Sequence, residues 1–232
     1  GINIAAIAQG SSEYNISVII YHSDLSKALN AVHDAFFAEL QKTLNVFVVG
    51  VGNIGTELLS QINGHHQFLA KHNLISIKIL GLINTKKMLI DANGIDLANW
   101  KLALENSSAT ANLEEFVGQM KALNLPNCVF IDNTASPHPS KFYKEAFEAN
   151  ISVVTCNKIA NSGDYAQFAD LKNTAQKHGV DFYYETNVGA GLPIIKTLND
   201  LMVSGDKISK IEAILSGTIS FIFNNFKGEN NF

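Results

Sequence analysis

The sequence predicts an α/β chain built on a doubly wound, mostly parallel sheet. Three observations carry that expectation. From Asn45 onward, segments of strand character alternate with segments of helical period. Most of the strand segments are unbroken apolar runs, as in a parallel sheet covered on both faces. An apolar run over 46–49 enters Gly50-Val51-Gly52-Asn53-Ile54-Gly55, and a helical pattern follows through Leu58, Leu59 and Ile62.

The elements follow in order. Segments 2–8 and 16–21 read as short strands joined by a polar turn at 9–13. Ser23 or Asp24 then caps a helix whose apolar stripe is Leu25, Leu29, Val32 and Phe36. A β-turn-β-α unit of this size closes no core alone, so residues 1–43 form a partial α+β segment that needs a partner. The strand at 46–49 and its helix open the main domain, 44–187. Next come a strand at 75–83, helical segments near 96–104 and 113–123, and a strand at 128–131. A helix at 140–149 leads to strand 151–155, and helix 165–178 to strand 181–184. Residues 188–232 read as the start of a further α+β domain. The chain opens without Met and stops at 228–232 after an apolar stretch, so it is expected to be a piece of a longer protein.

Composition excludes several classes. Of the 232 residues, 47% are hydrophobic and 16% charged, which is globular rather than disordered. A net charge of −4 without a basic block argues against nucleic acid or an anionic membrane as partner. No apolar run approaches the ~20 residues of a membrane span. The two cysteines, Cys128 and Cys156, are far apart and read as free thiols of a reducing cytoplasm. The seven histidines lack metal-ligand spacing.

Polar or glycine-rich clusters at 50–55, 84–87, 133–136, 157–158 and 185–193 each follow a strand closely. In an open parallel sheet, ligands lie beyond the carboxyl ends of the strands, so these clusters share one edge. Gly50 permits the turn, Gly52 lets backbone approach a pyrophosphate, and Gly55 lets the helix pack on its strand. With Asn53 and Ile54 they set phosphates at the helix N-terminus. The bland alternative is a glycine-rich turn that serves packing alone.

NAD-specific domains place a carboxylate at the end of the second strand. Here that strand ends in Asn84-Thr85-Lys86-Lys87, which favours NADP and admits NAD; alternatively the lysines begin a solvated segment. Thr134 and Ser136 offer hydroxyls to the cofactor, cap a following helix, or both. Lys158 lies beyond a buried strand, either beside a nicotinamide or as a surface residue. Glu185 with the small-residue loop after it offers hard oxygens to a monovalent or alkaline-earth ion, or forms a tight crossover between domains.

Taken together, 46–55, 131–136, Thr155-Cys156-Asn157-Lys158, Thr186-Asn187-Val188-Gly189-Ala190-Gly191-Leu192-Pro193 and Leu215-Ser216-Gly217-Thr218 resemble homoserine dehydrogenase. The match runs in order over 45–226. Residues 1–43 resemble the tail of an aspartokinase regulatory ACT domain, on Ile2-Asn3-Ile4, the run 7–13 and Ile16-Ser17-Val18. The whole is similar to part of a bifunctional aspartokinase–homoserine dehydrogenase. The resemblance implies a Rossmann-type fold and reversible reduction of L-aspartate 4-semialdehyde to L-homoserine, in threonine and methionine biosynthesis. It places Lys158 at nicotinamide and substrate as the catalytic residue, and Gly217 and Thr218 in the substrate pocket. It assigns a sodium ion to Glu185 and the carbonyls of Val188, Ala190 and Leu192. The family's acidic segment and its catalytic aspartate and lysine belong after Phe232, so this chain is expected to bind cofactor without turnover. A homo-oligomer is expected. Two rivals remain: a nicotinamide-nucleotide-sensing module, and another semialdehyde dehydrogenase using Cys156 as nucleophile.

Overall fold

The computed structural model describes residues 2–10, 15–37 and 41–226; the expected turn at 11–13 and the chain end at 228–232 lie outside the described residues. By contacts the chain divides into two compact units, residues 1–182 and 183–232. This division precedes the boundary expected between 187 and 188.

The first unit contains the doubly wound sheet except for the last residue of β8, with strands in the order β5-β4-β3-β6-β7-β8. These are β3 (Lys42–Val49), β4 (Ile75–Ile83), β5 (Met88–Ile90), β6 (Cys128–Asp132), β7 (Ser152–Thr155) and β8 (Phe182–Tyr183). β3 pairs in parallel with β4 on one side and β6 on the other, and β6 pairs in parallel with β7. The order reverses at β3, and the crevice there is where such sheets take ligands.

Helices α2 (Asn53–Phe68), α3 (Trp100–Glu105), α4 (Leu113–Ala122), α5 (Tyr143–Glu148), α6 (Ile159–Ser162) and α7 (Tyr165–Lys177) complete the layers. β3 divides its side chains between two cores. Val46 and Val48 join Leu59, Ile62 and Trp100, while Phe47 and Val49 join Phe116, Phe130 and Phe147. In β4 the alternation slips. Ile79 and Leu82 share one core and Leu80 and Ile83 the other, because Val46 pairs with Ile79 but Phe47 with Gly81. Leu80 is the extra residue of a bulge, and Gly81 permits it, since a Cβ there would lie 2.6 Å from Phe47 Cδ1 and 2.8 Å from Phe116 Cζ.

The segment before the sheet is a two-stranded antiparallel pair, β1 (Ile4–Gln9) with β2 (Ile16–Ile20), then α1 (Leu25–Phe37). The expected stripe Leu25, Leu29, Val32 and Phe36 is exposed. The opposite placement falls to Lys27, which is buried, and its ammonium is pushed below the usual lysine range by that burial, partly offset by Cys128 and Asp24. Asn124 Nδ2 donates to Ser23 O at 3.4 Å.

Three expectations differ in detail. The helix expected over 96–104 forms only from Trp100, because Asp96 accepts the Ala98 N–H and the Asn99 amide and makes a local turn instead. The antiparallel edge strand β5 was not expected, being too short to show a period. β8 keeps only two residues of the strand expected over 181–184.

The second unit holds a 3-10 turn at Glu185–Asn187, α8 (Ile195–Val203) and α9 (Gly217–Asn225), joined by segments with no helix or strand. None of its described residues is buried.

Candidate functional site

The turn after β3 is built from its glycines. Gly50 sits at φ +88°, and a Cβ there would lie 2.7 Å from Thr134 Cγ2. Its N–H donates to Ile83 O at 2.9 Å. Gly52 is the residue before α2 and has no side chain to cap it, leaving the first N–H groups of a 16-residue helix facing outward. A Cβ on Gly52 would meet nothing within 4 Å, whereas one on Gly55 would lie 2.1 Å from Gly50 O. Gly52 therefore leaves open space and Gly55 closes the helix onto the turn. Asn133 Nδ2, 3.5 Å from that Gly55 position, is buried with no hydrogen-bond partner among the described residues. A backbone cradle with room above Gly52 and an unsatisfied donor beside it fit a dinucleotide pyrophosphate.

The turn after β4 is organised by Asn84, whose Oδ1 accepts the N–H of both Lys86 and Lys87 at 2.7 Å. Lys87 Nζ donates to Ser107 O at 2.7 Å, Lys86 is exposed, and both line the same cleft as Asn84.

A third wall comes from the loop after β6, which residues of β6 and of the segment after β7 brace. Asp132, fully buried, ends β6. Its Oδ1 accepts the Thr134 N–H at 2.8 Å, and its Oδ2 accepts Tyr143 Oη–H at 2.6 Å and Asn157 Nδ2–H at 3.0 Å. Burial first, and the Asp132 charge second, push the Tyr143 phenol far above its ordinary value. Asn157 Nδ2 also reaches Ser136 O at 2.7 Å and Thr134 Oγ1 at 3.3 Å.

These walls enclose a cleft of about 930 Å³. It is lined by Gly50, Gly52, Asn84, Lys86, Thr134 and Ser136, all singled out from sequence. Asn53, Ile54 and Gly55 lie on the first turn of α2, just past it. Lys158 stands exposed at the end of β7, immediately before α6, and is not among the lining residues. The sequence reading missed Glu105, Asn112, Glu114 and His138, which also line the cleft; His138 Nε2 lies 3.7 Å from Glu114 Oε1. No strand end announces them, since α3, α4 and the loop after β6 bring them in. It also missed Tyr143 as the partner of Asp132, for which the only signal was a carboxylate closing an apolar strand.

Cys156 is half-buried, and burial followed by the Asp132 charge raises its thiol above the ordinary value. A nucleophilic cysteine needs the reverse shift, so the reading of Cys156 as a semialdehyde-dehydrogenase nucleophile is not supported.

In the second unit, Glu185 Oε1 accepts the Ile195 N–H at 2.9 Å and Oε2 the Lys196 N–H at 2.8 Å, capping α8. Gly189 and Ala190 are successive left-handed residues at φ +71° and +52°. Ser216 caps α9, accepting the Ile219 N–H at 3.2 Å, so Gly217 and Thr218 form that helix's first turn. Among the described residues no helix is long and apolar enough to cross a membrane, and no group of three or more His, Cys, Asp or Glu could hold a metal ion.

Comparison with known proteins gives three family matches. Residues 50–185 match the homoserine dehydrogenase NAD-binding domain, residues 193–232 homoserine dehydrogenase, and residues 1–36 the ACT domain. A chloroplastic bifunctional aspartokinase/homoserine dehydrogenase 2 of Arabidopsis thaliana is 42% identical over 232 residues, all of this chain and 25% of the relative. A Schizosaccharomyces pombe homoserine dehydrogenase is 34% identical over 183 residues, 78% of this chain and 48% of the relative. A hyperthermophilic archaeal homoserine dehydrogenase mutant in complex with NADPH has a TM-score of 0.57 at 24% identity, over 70% of this chain and 50% of that one. The chain thus spans about a quarter of the length of the bifunctional relatives.

Proposed function

The chain belongs to the homoserine dehydrogenase family, and from that membership we propose that the protein interconverts L-homoserine and L-aspartate 4-semialdehyde with a nicotinamide cofactor. The full protein is proposed to be bifunctional, carrying aspartokinase as its Arabidopsis relative does by name. The observation that carries the reading is the convergence of the glycine turn, the Asn84 turn and the Thr134–Ser136 hydroxyls on one cleft.

The bound cofactor supplies or takes the hydride. What this chain contributes is holding and charge. The N–H groups at the start of α2 would hold the pyrophosphate. Thr134 and Ser136 would bond the ribose or carboxamide. Lys158 is the proposed catalytic residue, its ammonium stabilising the negative charge that builds on the aldehyde oxygen during reduction. One hydride and one proton convert the aldehyde to the primary alcohol, the proton coming from a positioned acid. Gly217 and Thr218 are proposed to line the substrate pocket.

Asn84 in place of a carboxylate, with Lys86 exposed beside it, supports NADP as the preferred cofactor, NAD being admitted. A sodium ion at Glu185 and the carbonyls of Val188, Ala190 and Leu192 is a further proposal; each Glu185 oxygen spends one acceptor site on α8 and keeps lone pairs for a cation. The domain limits 1–43, 44–187 and 188–232 are kept as proposals, as are a homo-oligomer and a reducing compartment such as the cytoplasm. The full-length protein should oxidise NADPH in the presence of aspartate semialdehyde, and NADPH that stays unoxidised with that substrate present would overturn the reading.

A further inference from the structure

The hydrogen bonds of Asn157 do more than fill a buried site. Its own N–H donates to Thr155 Oγ1 at 2.9 Å, and its Oδ1 accepts the Ile159 N–H at 3.1 Å. The two bonds fasten the backbone on both sides of Lys158. Its Nδ2 donates to Ser136 O and reaches Thr134 Oγ1, which belong to the wall of the cofactor cleft. One side chain, 2% exposed, therefore straps the loop after β6 to the loop after β7. Asn157 is in turn held by Asp132 Oδ2, to which Tyr143 donates its hydroxyl. Tyr143 Oη lies 2.9 Å from Thr155 Oγ1, closing a ring among Asp132, Tyr143, Thr155 and Asn157.

Such a ring is costly unless every member is satisfied, because buried polar groups lose water. A cofactor wall and a strand end could be stabilised more simply by apolar packing. We infer that the Asp132–Tyr143–Asn157 ring is a positioning device that sets the Thr134–Ser136 wall and Lys158 in one register, so that cofactor affinity and turnover both depend on the Tyr143 hydroxyl, a group that does not itself line the cleft. The inference rests on the function proposed above.

The test uses the full-length protein with Tyr143→Phe, which keeps the ring packed against Phe130 and Phe182 and removes only the hydroxyl. The dissociation constant for NADPH should rise by roughly 3- to 10-fold, and kcat should fall by a similar factor. KM for homoserine should stay within about twofold, since Lys158 acts on charge that builds mainly in the transition state. Thr155→Ser, which keeps the Thr155 hydroxyl, should retain wild-type NADPH affinity in parallel measurements. If Tyr143→Phe does not accumulate, Thr155→Val carries the same expectation. A merely structural role would lower the amount of active enzyme and leave the NADPH constant unchanged, and that result would overturn the inference. A wild-type protein that binds no NADPH would overturn the proposed function and this inference with it; binding by wild type with an unaltered variant would overturn this inference alone.

Discussion

Gly52 and Gly55 belong to one motif and answer to different constraints. At Gly55 the chain itself forbids a side chain, since a Cβ would lie 2.1 Å from Gly50 O. At Gly52 the surroundings are empty to 4 Å, so only a ligand can forbid it. Gly55→Ala should cost roughly 3 kcal/mol and lower Tm by roughly 6–12 °C. Gly52→Ala should keep the wild-type Tm and weaken NADPH binding by roughly tenfold or more, as the methyl occupies the pyrophosphate's approach. Thermal melts and cofactor titrations of both variants read the difference, and an undisturbed titration for Gly52→Ala would remove the pyrophosphate from that turn. Lys158→Ala should lower kcat by roughly 10²-fold in the full-length enzyme with little change in Tm, because an exposed residue at a strand end packs little. Near-normal turnover would return Lys158 to the surface. The thiols should also separate. Cys128 is 3% exposed with its thiol pushed up to about 11 by burial, and Cys156 is less buried. Under native conditions a maleimide should label one thiol, Cys156, and after denaturation both.

At the scale of elements, the turn after β4 makes cofactor choice testable without disturbing the fold. Asn84 Oδ1 accepts two N–H groups, and a carboxylate of the same shape accepts the same two. Asn84→Asp should therefore keep the turn, weaken NADPH through charge repulsion at the 2′-phosphate, and improve NADH relative to NADPH by roughly tenfold. A cofactor ratio that does not move would show that this strand end does not read the ribose. The same element shows why much of the site was legible. Its residues follow strands whose apolar runs are long, so Gly50, Asn84, Thr134 and Asn157 fall on one edge by topology alone. Glu114 and His138 were hidden because α4 and the loop after β6 reach the cleft from the side, a matter of packing rather than period. Asp132 and Tyr143 are 11 residues apart and meet only because α5 packs back on β6. No pattern of spacing encodes that return. The bulge at Leu80 was hidden for a related reason: an apolar run reads the same with or without one residue out of register.

For the molecule as a whole, the two units differ in what holds them. Residues 1–182 contain both apolar cores, while the described residues of the second unit include none that is buried. A segment limited to residues 183–232 should give no cooperative melt, whereas residues 41–182 should melt in one transition seen by circular dichroism. The main sheet ends on one side in a two-residue strand and on the other in a three-residue antiparallel one. These short outer strands themselves give a foreign strand little to zip onto. The pair β1–β2 is the reverse case, with Ile7, Ile16 and Ile19 each more than 60% exposed on a ribbon of only two strands. That ribbon is therefore one place where copies of this chain can meet: the concentration at which the chain begins to clump in solution should rise when a single lysine replaces Ile19, with the cofactor cleft left untouched, and light scattering against concentration reads it directly.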